Sequence, residues 1–155
     1  MSPNMNIHFR KATRVDIPHI VRLLADDPLG ATREQYKEPL PSQYYAAFDL
    51  LNSDKNNFLI VAELDNKVVG TLQVTFITYL TYQGGKRALI EAVRTDKSVR
   101  GQGIGKAMLE WAVHKAKEEG CHVVQLTTDK KRPDALEFYK KLGFVASHEG
   151  MKLHL

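Results

Sequence analysis

A glycine-rich turn at residues 100–106 has the clearest chemical meaning in this sequence. Its residues are Arg100, Gly101, Gln102, Gly103, Ile104, Gly105 and Lys106. Glycines at alternate positions let the backbone approach a ligand closely, because no Cβ intervenes. A helical pattern begins at Ile104, and the first amides of a helix are unpaired and lie at the positive end of its dipole. The turn therefore predicts a cradle for an anion such as a pyrophosphate, with Arg100 and Lys106 adding positive charge.

The glycine spacing can be compared with three phosphate-binding patterns. A Walker A loop starts with glycine and ends in Ser or Thr, whereas here Arg100 stands first and Ala107 follows the lysine. A dinucleotide fingerprint counted from Gly101 needs a glycine where Lys106 stands. The pattern R-x-x-G-x-G is satisfied from Arg100 to Gly105. On spacing alone, this pattern and a plain tight turn both stay open.

Other catalytic and metal-binding patterns are not matched. The segment that starts at His148 is not H-E-x-x-H, because its fifth position is Lys152. No G-x-S-x-G segment occurs. A single cysteine, Cys121, excludes an intramolecular disulfide and a multi-cysteine metal site. Its place between a predicted helix and a predicted strand favours a small buried hydrophobe over a nucleophile.

Length and composition predict one globular domain over residues 1–155. Hydrophobic residues make up 43% of the chain and charged residues 26%, which excludes a disordered chain, a collagen and a coiled coil. No apolar run approaches the roughly 20 residues that span a bilayer, so no membrane association is expected. The polar start, residues 1–6, is not a secretory signal, and we expect a cytoplasmic protein.

The charge balance is mildly basic, with a formal net charge of +4. The basic residues are spread along the chain, and the densest group is Lys130, Lys131 and Arg132. That group is typical of a solvated helix entrance. There is no aromatic RNA-binding motif and no Cys/His finger spacing, so the sequence predicts no nucleic-acid partner.

The first half of the chain predicts an antiparallel meander with helices packed on it. Predicted strands cover residues 6–11, 58–64, 67–79 and 87–95, with turn signals at 65–66 and 83–86. A capping-box pattern at 13–16 precedes apolar residues at helical spacing up to Leu24. Ser42 begins a second predicted helix, through about Leu51. The Pro- and Gly-containing segment 26–43 predicts a loop with a short helical piece.

The second half predicts a strand–helix–strand crossover. The predicted elements are a helix at 104–119, a strand at 122–127, a helix from Pro133 that Gly143 ends, and closing strands at 144–147 and 151–155. Apolar residues recur at helical spacing from Ile104 to Ala116. Such a crossover is long enough to connect parallel strands, so the expected fold class is a mixed α/β sheet.

A second motif downstream makes the glycine turn more specific. The segment from Ala135 to Phe144 reads A-L-E-F-Y-K-K-L-G-F. Together, an R-x-x-G-x-G turn after a strand and an A-x-x-F-Y-x-x-x-G-F helix resemble the GNAT superfamily of acyl-CoA N-acyltransferases. The resemblance covers the chain from about Ile7 to its end. It implies a central mixed sheet, an antiparallel N-terminal meander, a parallel β-α-β crossover and helices on both faces.

The resemblance also implies a binding site for acetyl-CoA. In this family the strand at 89–95 splays away from the next parallel strand, and the pantetheine arm pairs with exposed backbone groups, by position those of Val93 and Thr95. The amides of residues 100–106 would hold the pyrophosphate. One departure from the family is Arg132, which stands where an asparagine is common. An arginine cannot repeat an amide's hydrogen bonds to pantetheine.

Acetyl transfer from a thioester to an amine requires two proton transfers. An alkylammonium group has a pKa of about 10.4, so it must lose a proton before it attacks. A positioned acid or base is typically worth about 10²–10⁴-fold. The resemblance implies Tyr139 as the acid that protonates the thiolate, Glu91 as the base, directly or through water, and the Val93 amide as the oxyanion donor. A core tyrosine and a solvated strand glutamate are the alternatives.

The sequence therefore predicts an acetyl-CoA-dependent N-acetyltransferase that acts on a primary amine by direct attack, with no metal. A small-molecule amine is the expected acceptor. The loop 26–43 and the turn region 79–86 are expected to shape its pocket. Two alternatives stay open: a protein lysine or N-terminal acetyltransferase, and a CoA-binding sensor without catalysis. A homodimer also stays open, since many relatives pair.

Overall fold

The computed structural model describes residues 5–155. In that part of the chain, five strands form one sheet in the order β1-β2-β3-β4-β5. The strands are β1 (His8–Lys11), β2 (Asn57–Leu64), β3 (Lys67–Thr78), β4 (Lys86–Thr95) and β5 (Val123–Leu126). The helices are α1 (Ile17–Ala25), α2 (Gly30–Arg33), α3 (Ser42–Ser53), α4 (Thr81–Gly84), α5 (Ile104–Glu118) and α6 (Pro133–Lys141). No described helix is long and apolar enough to cross a membrane.

The predicted mixed sheet is confirmed. Strands β1 to β4 are antiparallel neighbours in sequence order. The turn between β2 and β3 is made by Asp65 and Asn66, whose φ angles of 51° and 61° suit a two-residue hairpin. The His122 amide donates to the Lys86 carbonyl at 2.9 Å. Strands β4 and β5 therefore begin at the same end of the sheet and form its parallel pair.

The entrance to α1 is fixed by Asp16, as the capping-box pattern predicts. Its carboxylate accepts from the Thr13 amide at 2.7 Å. The Arg10 guanidinium donates to both carboxylate oxygens, at 2.7 and 2.9 Å. The hydrogen bonds from Arg10 hold the pKa of Asp16 below its usual range despite burial. Pro18 stands in the first turn of α1, where its missing N–H is not needed.

Helices cover both faces of the sheet. On one face, Ile20 and Val21 of α1 cluster with Phe48 of α3 and Val61 of β2. On the other face α5 packs against the sheet, because a Cβ added to Gly70 of β3 would lie 2.8 Å from the Met108 sulfur. The side of α5 turned to the sheet is fully buried and follows the predicted apolar stripe. Its buried residues are Ile104, Met108, Leu109, Ala112 and Ala116.

The chain divides into two compact units, the second of which is Leu126–Leu155. The single domain over 1–155 stays a prediction. In the second unit, α6 begins at Pro133 as predicted. Gly143 follows the helix with a φ of 94°, the left-handed conformation that commonly ends helices. The Phe144 amide then donates back to the Tyr139 carbonyl at 3.1 Å.

The two closing strands predicted at 144–147 and 151–155 are wrong. The structure gives these residues no strand assignment. Their backbone bonds are local, since the Ser147 amide donates to the Val145 carbonyl at 2.9 Å. Val145 and Met151 are exposed. Alternating apolar residues form a stable strand only beside a partner strand, and the local bonds take its place here.

Asp96 connects α1 to the segment that follows β4. Its carboxylate accepts from the Ser98 amide at 2.9 Å, from the Ser98 hydroxyl at 2.8 Å and from Arg22 at 2.8 Å. The hydrogen bonds from Ser98, joined by Arg22, lower the pKa of Asp96 to about 2. Its amide donates to the Val69 carbonyl at 2.7 Å, so Asp96 closes the β3–β4 ladder and starts the next turn.

Replacing Asp96 by alanine should lower the free energy of unfolding by about 1–2 kcal/mol at neutral pH, because a capping carboxylate is lost. The folded-state pKa lies below the unfolded one, so the contribution is complete above the unfolded pKa and is lost as the pH falls. The difference between wild type and Asp96→Ala in urea denaturation should therefore shrink as the pH falls from about 4 to about 2.

The control for this measurement is Asp49→Ala. Asp49 pairs with Arg14 at 2.8 Å, and both side chains are more than half exposed. Such a pair contributes about 0–1 kcal/mol. Equal stability of wild type and Asp96→Ala at neutral pH would contradict the capping role.

Candidate active site

Strand β4 contains an extra residue in its second half. Glu91 lies opposite Gln73 and Arg94 lies opposite Thr71, so two residues of β4 stand against one of β3. One of them, Ala92, has a φ of 54°, which is uncommon for alanine. This is a β-bulge, a feature that bends a strand and redirects its backbone groups.

The bulge leaves backbone groups of β4 on the edge that faces away from β3. The Asp96 amide points to β3, and successive residues of a strand point their backbone groups to opposite edges. Thr95 and Val93 therefore point the other way. Their carbonyls accept from arginine side chains, Val93 from Arg94 at 2.9 Å and Thr95 from Arg100 at 3.3 Å.

Strand β5 is too short to pair with this part of β4. It has four residues, whereas β4 has ten, and both strands begin at the same end of the sheet. The amides of Val93 and Thr95 thus lie on an edge beyond the reach of β5. An extended ligand with amide groups of its own can pair there as an added strand would.

The turn after β4 brings the predicted glycines to the start of α5. Gly101 and Gly103 have φ angles of 78° and 87°, in the left-handed region that glycine tolerates best. A Cβ on either would meet no atom within 4 Å, so space is open in front of the turn. Buried Ile104 anchors the turn to the core.

The N-terminus of α5 has no side-chain cap. The first bond within the helix is donated by the Ala107 amide to the Gly103 carbonyl at 3.0 Å. The amides of Ile104, Gly105 and Lys106 therefore have no acceptor inside the helix. These donors, the open space and the helix dipole fit the pyrophosphate of a coenzyme.

Glu91 lies on the sheet face that α1 and α3 cover elsewhere. It is exposed, while its neighbour Ile90 is buried on the α5 face. Gln73 is its cross-strand partner, and the Gln73 amide donates to Asn57 at 3.0 Å. Thr75 donates to the same Asn57 oxygen at 2.6 Å. The carboxylate therefore stands beside a polar patch that water or a polar ligand can reach.

Tyr139 lies on α6 in the second unit. Its ring is half-buried and makes edge-to-face contacts with Phe138 at 5.2 Å and Phe144 at 5.8 Å. Arg132, the departure from the family pattern, stands directly before α6 and donates its amide to the Asp129 carbonyl at 2.9 Å.

The structure brings most of the predicted residues together on one continuous segment. Glu91, Val93, Thr95 and the turn 100–106 follow each other from the bulge to the start of α5. Sequence reasoning missed the left-handed Ala92, since an alanine carries no signal for a positive φ. It also missed the contacts of Arg87 with the rings of Tyr79 and Tyr82, although the region 79–86 was expected to shape the acceptor pocket.

Three other features do not form a second site. Burial raises the pKa of the Cys121 thiol, so it is not an activated nucleophile. Among residues 5–155 no group of His, Cys, Asp or Glu could hold a metal ion. A cleft of about 590 Å³ lies beside α1. Four of the charged side chains that line it are paired with each other, Arg10 with Glu63 and Arg22 with Asp96, both at 2.8 Å.

Replacing Gly103 by valine should weaken coenzyme A binding by at least about 10-fold, because a side chain would enter the open space and strain the left-handed backbone. Isothermal titration calorimetry measures the affinity. Gly120→Val is the matched control, since Gly120 has a φ of 74°, has open space at Cβ and lies at the other end of α5. Equal weakening by both variants would contradict a cradle at Gly103.

Comparison with known proteins identifies the family. The model of the acetyltransferase (GNAT) family matches residues 21–144. A solved structure described as a transcriptional regulator from Bacillus halodurans C-125 is 57% identical, with a TM-score of 0.94, over 97% of this chain and 100% of that chain.

Two curated relatives are also similar. An uncharacterized N-acetyltransferase of Methanocaldococcus jannaschii is 29% identical over 135 residues, 87% of this chain and 59% of the relative. The glucosamine 6-phosphate N-acetyltransferase of Trypanosoma brucei brucei is 35% identical over 89 residues, 57% of this chain and 58% of the relative. The chain thus spans less than two thirds of the length of these relatives.

The family match covers the bulged strand, the glycine turn and α6 in one stretch. The GNAT family uses acetyl-CoA. The sheet order, the crossover and the glycine turn agree with that match. The chain belongs to the GNAT family of acetyltransferases.

Proposed function

We propose that this protein transfers the acetyl group of acetyl-CoA to the primary amine of a small molecule by direct attack. One observation carries the proposal: the backbone edge of β4 beyond its bulge leads directly into an uncapped, glycine-lined helix N-terminus. The edge suits an arm with amide groups, and the helix N-terminus suits a pyrophosphate. Coenzyme A has both groups on one molecule.

Acetyl-CoA supplies the acetyl thioester, and the chain supplies positions and protons. Val93 and Thr95 would pair with the pantetheine arm, and the amides of residues 100–106 would hold the pyrophosphate. Arg100 and Lys106 add positive charge; Lys106 lies 3.7 Å from Glu110 and is largely exposed. The Val93 amide is the proposed donor to the thioester carbonyl oxygen.

Glu91 is the proposed general base. It stands one residue before the left-handed Ala92, on a face that water reaches. A substrate ammonium ion would lose a proton to the carboxylate, directly or through a water molecule. The neutral amine then forms the new N–C bond, and the C–S bond breaks with its electron pair on sulfur. The nitrogen releases its second proton to solvent, which leaves a neutral amide.

Tyr139 is the proposed general acid for the leaving thiolate. The phenol oxygen would give its proton to sulfur, and the proton that Glu91 takes from the amine would restore the balance through solvent. The support is the family motif around α6, in which Tyr139 stands at the position of the family's tyrosine. The edge-to-face contacts with Phe138 and Phe144 hold its ring in place.

A small-molecule acceptor is supported by the named activity of a relative. The Trypanosoma relative is described as a glucosamine 6-phosphate N-acetyltransferase. The alternative acceptor class is the lysine side chains or N-terminal amines of proteins. The expected homodimer, the cytoplasmic location and the absence of nucleic-acid and membrane partners stay predictions.

A non-catalytic sensor that binds CoA is the second candidate function. The observation in its favour is the 57% identical structure that is described as a transcriptional regulator. Both functions predict coenzyme binding, but only the enzyme releases thiol from acetyl-CoA in the presence of amines. A thiol-release assay with small amines and with lysine peptides therefore distinguishes an enzyme from a sensor and separates the two acceptor classes.

Replacing Glu91 by glutamine should lower kcat/KM for the amine by about 10²–10⁴-fold, because the base is lost while the shape is kept. Glu118→Gln is the control, since Glu118 is exposed on α5 and pairs with His114 at 3.2 Å. An unchanged kcat/KM for Glu91→Gln removes the role.

Replacing Tyr139 by phenylalanine should keep coenzyme A affinity but slow turnover by at least about 10²-fold, since only the proton donor is lost. Calorimetry gives the affinity and steady-state thiol release gives kcat. Tyr45→Phe is the control, because the Tyr45 ring lies under Arg14 at 4.7 Å and has no proposed role in the reaction. Normal turnover of Tyr139→Phe would show that the phenol is not the acid.

A further inference from the structure

Arg87 and Glu91 lie on the same face of β4. The register places Arg87 opposite Ile77 and Glu91 opposite Gln73, with no irregularity between them. Residues 88 and 90 point to the other face and are buried. Four residues of strand separate the two Cα atoms by roughly 13 Å. Arg87 is thus within the length of a small molecule from the proposed base.

The guanidinium of Arg87 is held in a fixed place. Its Cζ atom lies 4.6 Å from the ring centre of Tyr79 and 5.2 Å from that of Tyr82. Its Nη1 donates to Gln125 at 3.2 Å. The Tyr82 ring in turn stacks on His122 at 4.9 Å. A guanidinium positioned in this way loses little conformational entropy when it binds a ligand.

No carboxylate in residues 5–155 forms an ion pair with Arg87. Its neighbour Lys86, in contrast, forms an ion pair. The Lys86 Nζ atom lies 3.2 Å from Oε2 of Glu119 and lowers the pKa of that carboxyl. The Nε atom of Arg87 is buried and has no hydrogen-bond partner. A buried donor left unpaired is unfavourable, so an acceptor at that edge would restore a missing interaction.

Gln125 accepts from Nη1, so it does not use the guanidinium edge formed by Nε and Nη2. This edge matches two oxygens of a phosphate, phosphonate or carboxylate, with two parallel N–H···O bonds. The Tyr82 side chain, which stands over the guanidinium, is 70% exposed and is the group that would move to admit the anion.

From these observations we infer that Arg87 binds an anionic group of the acceptor, so that the substrates are amines that also carry a phosphate, phosphonate or carboxylate. The inference rests on the proposed function, since it assumes that the amine is placed at Glu91. Arg87 is a residue for substrate selection, while the polar patch around Gln73 lies nearer the amine.

The test measures kcat/KM for paired amines with acetyl-CoA. Each pair has one member with an anionic group and one without: ω-aminoalkylphosphonates and the matching amino alcohols, glucosamine 6-phosphate and glucosamine, and ω-amino acids and their amides. The wild type should prefer the anionic member of at least one series by about 10- to 100-fold, the range expected for charge-assisted hydrogen bonds. The preferred series identifies the anion.

Arg87→Gln should remove this preference through a rise in KM, with kcat/KM for neutral amines and the affinity for coenzyme A unchanged. Arg87→Lys keeps the charge but not the paired donors, so it should restore only part of the preference. The matched control is Arg14→Gln, another arginine over a tyrosine ring, 4.7 Å from Tyr45. It should behave as the wild type.

The outcomes separate the two proposals. Equal rates for charged and neutral amines in the wild type, a measurement that needs no variant, overturn the role of Arg87 and leave the acetyltransferase proposal standing. A preference for anionic amines that survives in Arg87→Gln also overturns the role of Arg87 and leaves the acetyltransferase proposal standing. Coenzyme A binding without thiol release from any amine overturns the proposed function, and this inference with it.

Discussion

The site depends on one constraint: a ligand can pair with the backbone of β4 only where the sheet itself does not use it. The extra residue at Ala92 shifts the register against β3, and β5 ends too early to pair with the last residues of β4. The sheet thereby leaves the backbone amides of Val93 and Thr95 without a strand partner, and these are the groups proposed to pair with an extended ligand. An unpaired strand edge is a liability in most proteins, and here the two nearby guanidinium groups partly cover it.

The position of that edge depends on contacts outside it. Asp96 ends the ladder, caps the turn that follows and binds Arg22 of α1, so one carboxylate ties three segments together. Ile104, buried at the start of α5, prevents the glycine turn from moving away from the sheet. The glycine turn is therefore anchored on both sides, although its glycines are individually permissive. An anchored turn of this kind suits the proposed placement of a long, flexible coenzyme.

Much of the fold, and the family, could be predicted from the sequence, because both depend on local patterns. Helical spacing predicts α5 with its buried stripe, and the glycine turn with its downstream motif predicts the family. The closing strands at 144–147 and 151–155 were wrong, since alternation says nothing about whether a partner strand is in reach. The left-handed Ala92 has no signature in residue type. The surroundings of Arg87 combine Tyr79 and Tyr82, from the connection between β3 and β4, with Gln125, which only the pairing of β4 with β5 brings close.

The main chain and the side chains of β4 have different proposed roles, and this explains why the sequence identifies a family more readily than an acceptor. In the proposed site the coenzyme lies against main-chain groups and glycines, and these requirements appear in the sequence as spacing. In the proposed site the acceptor lies against side chains on one face of the same strand, Glu91 and Arg87. The alternation of the strand separates that face from the buried core side. Side chains on that face can change without altering the backbone edge. If the proposed site is correct, acceptor specificity and coenzyme binding are separable on this strand, and a change near Arg87 alters the first without disturbing the second.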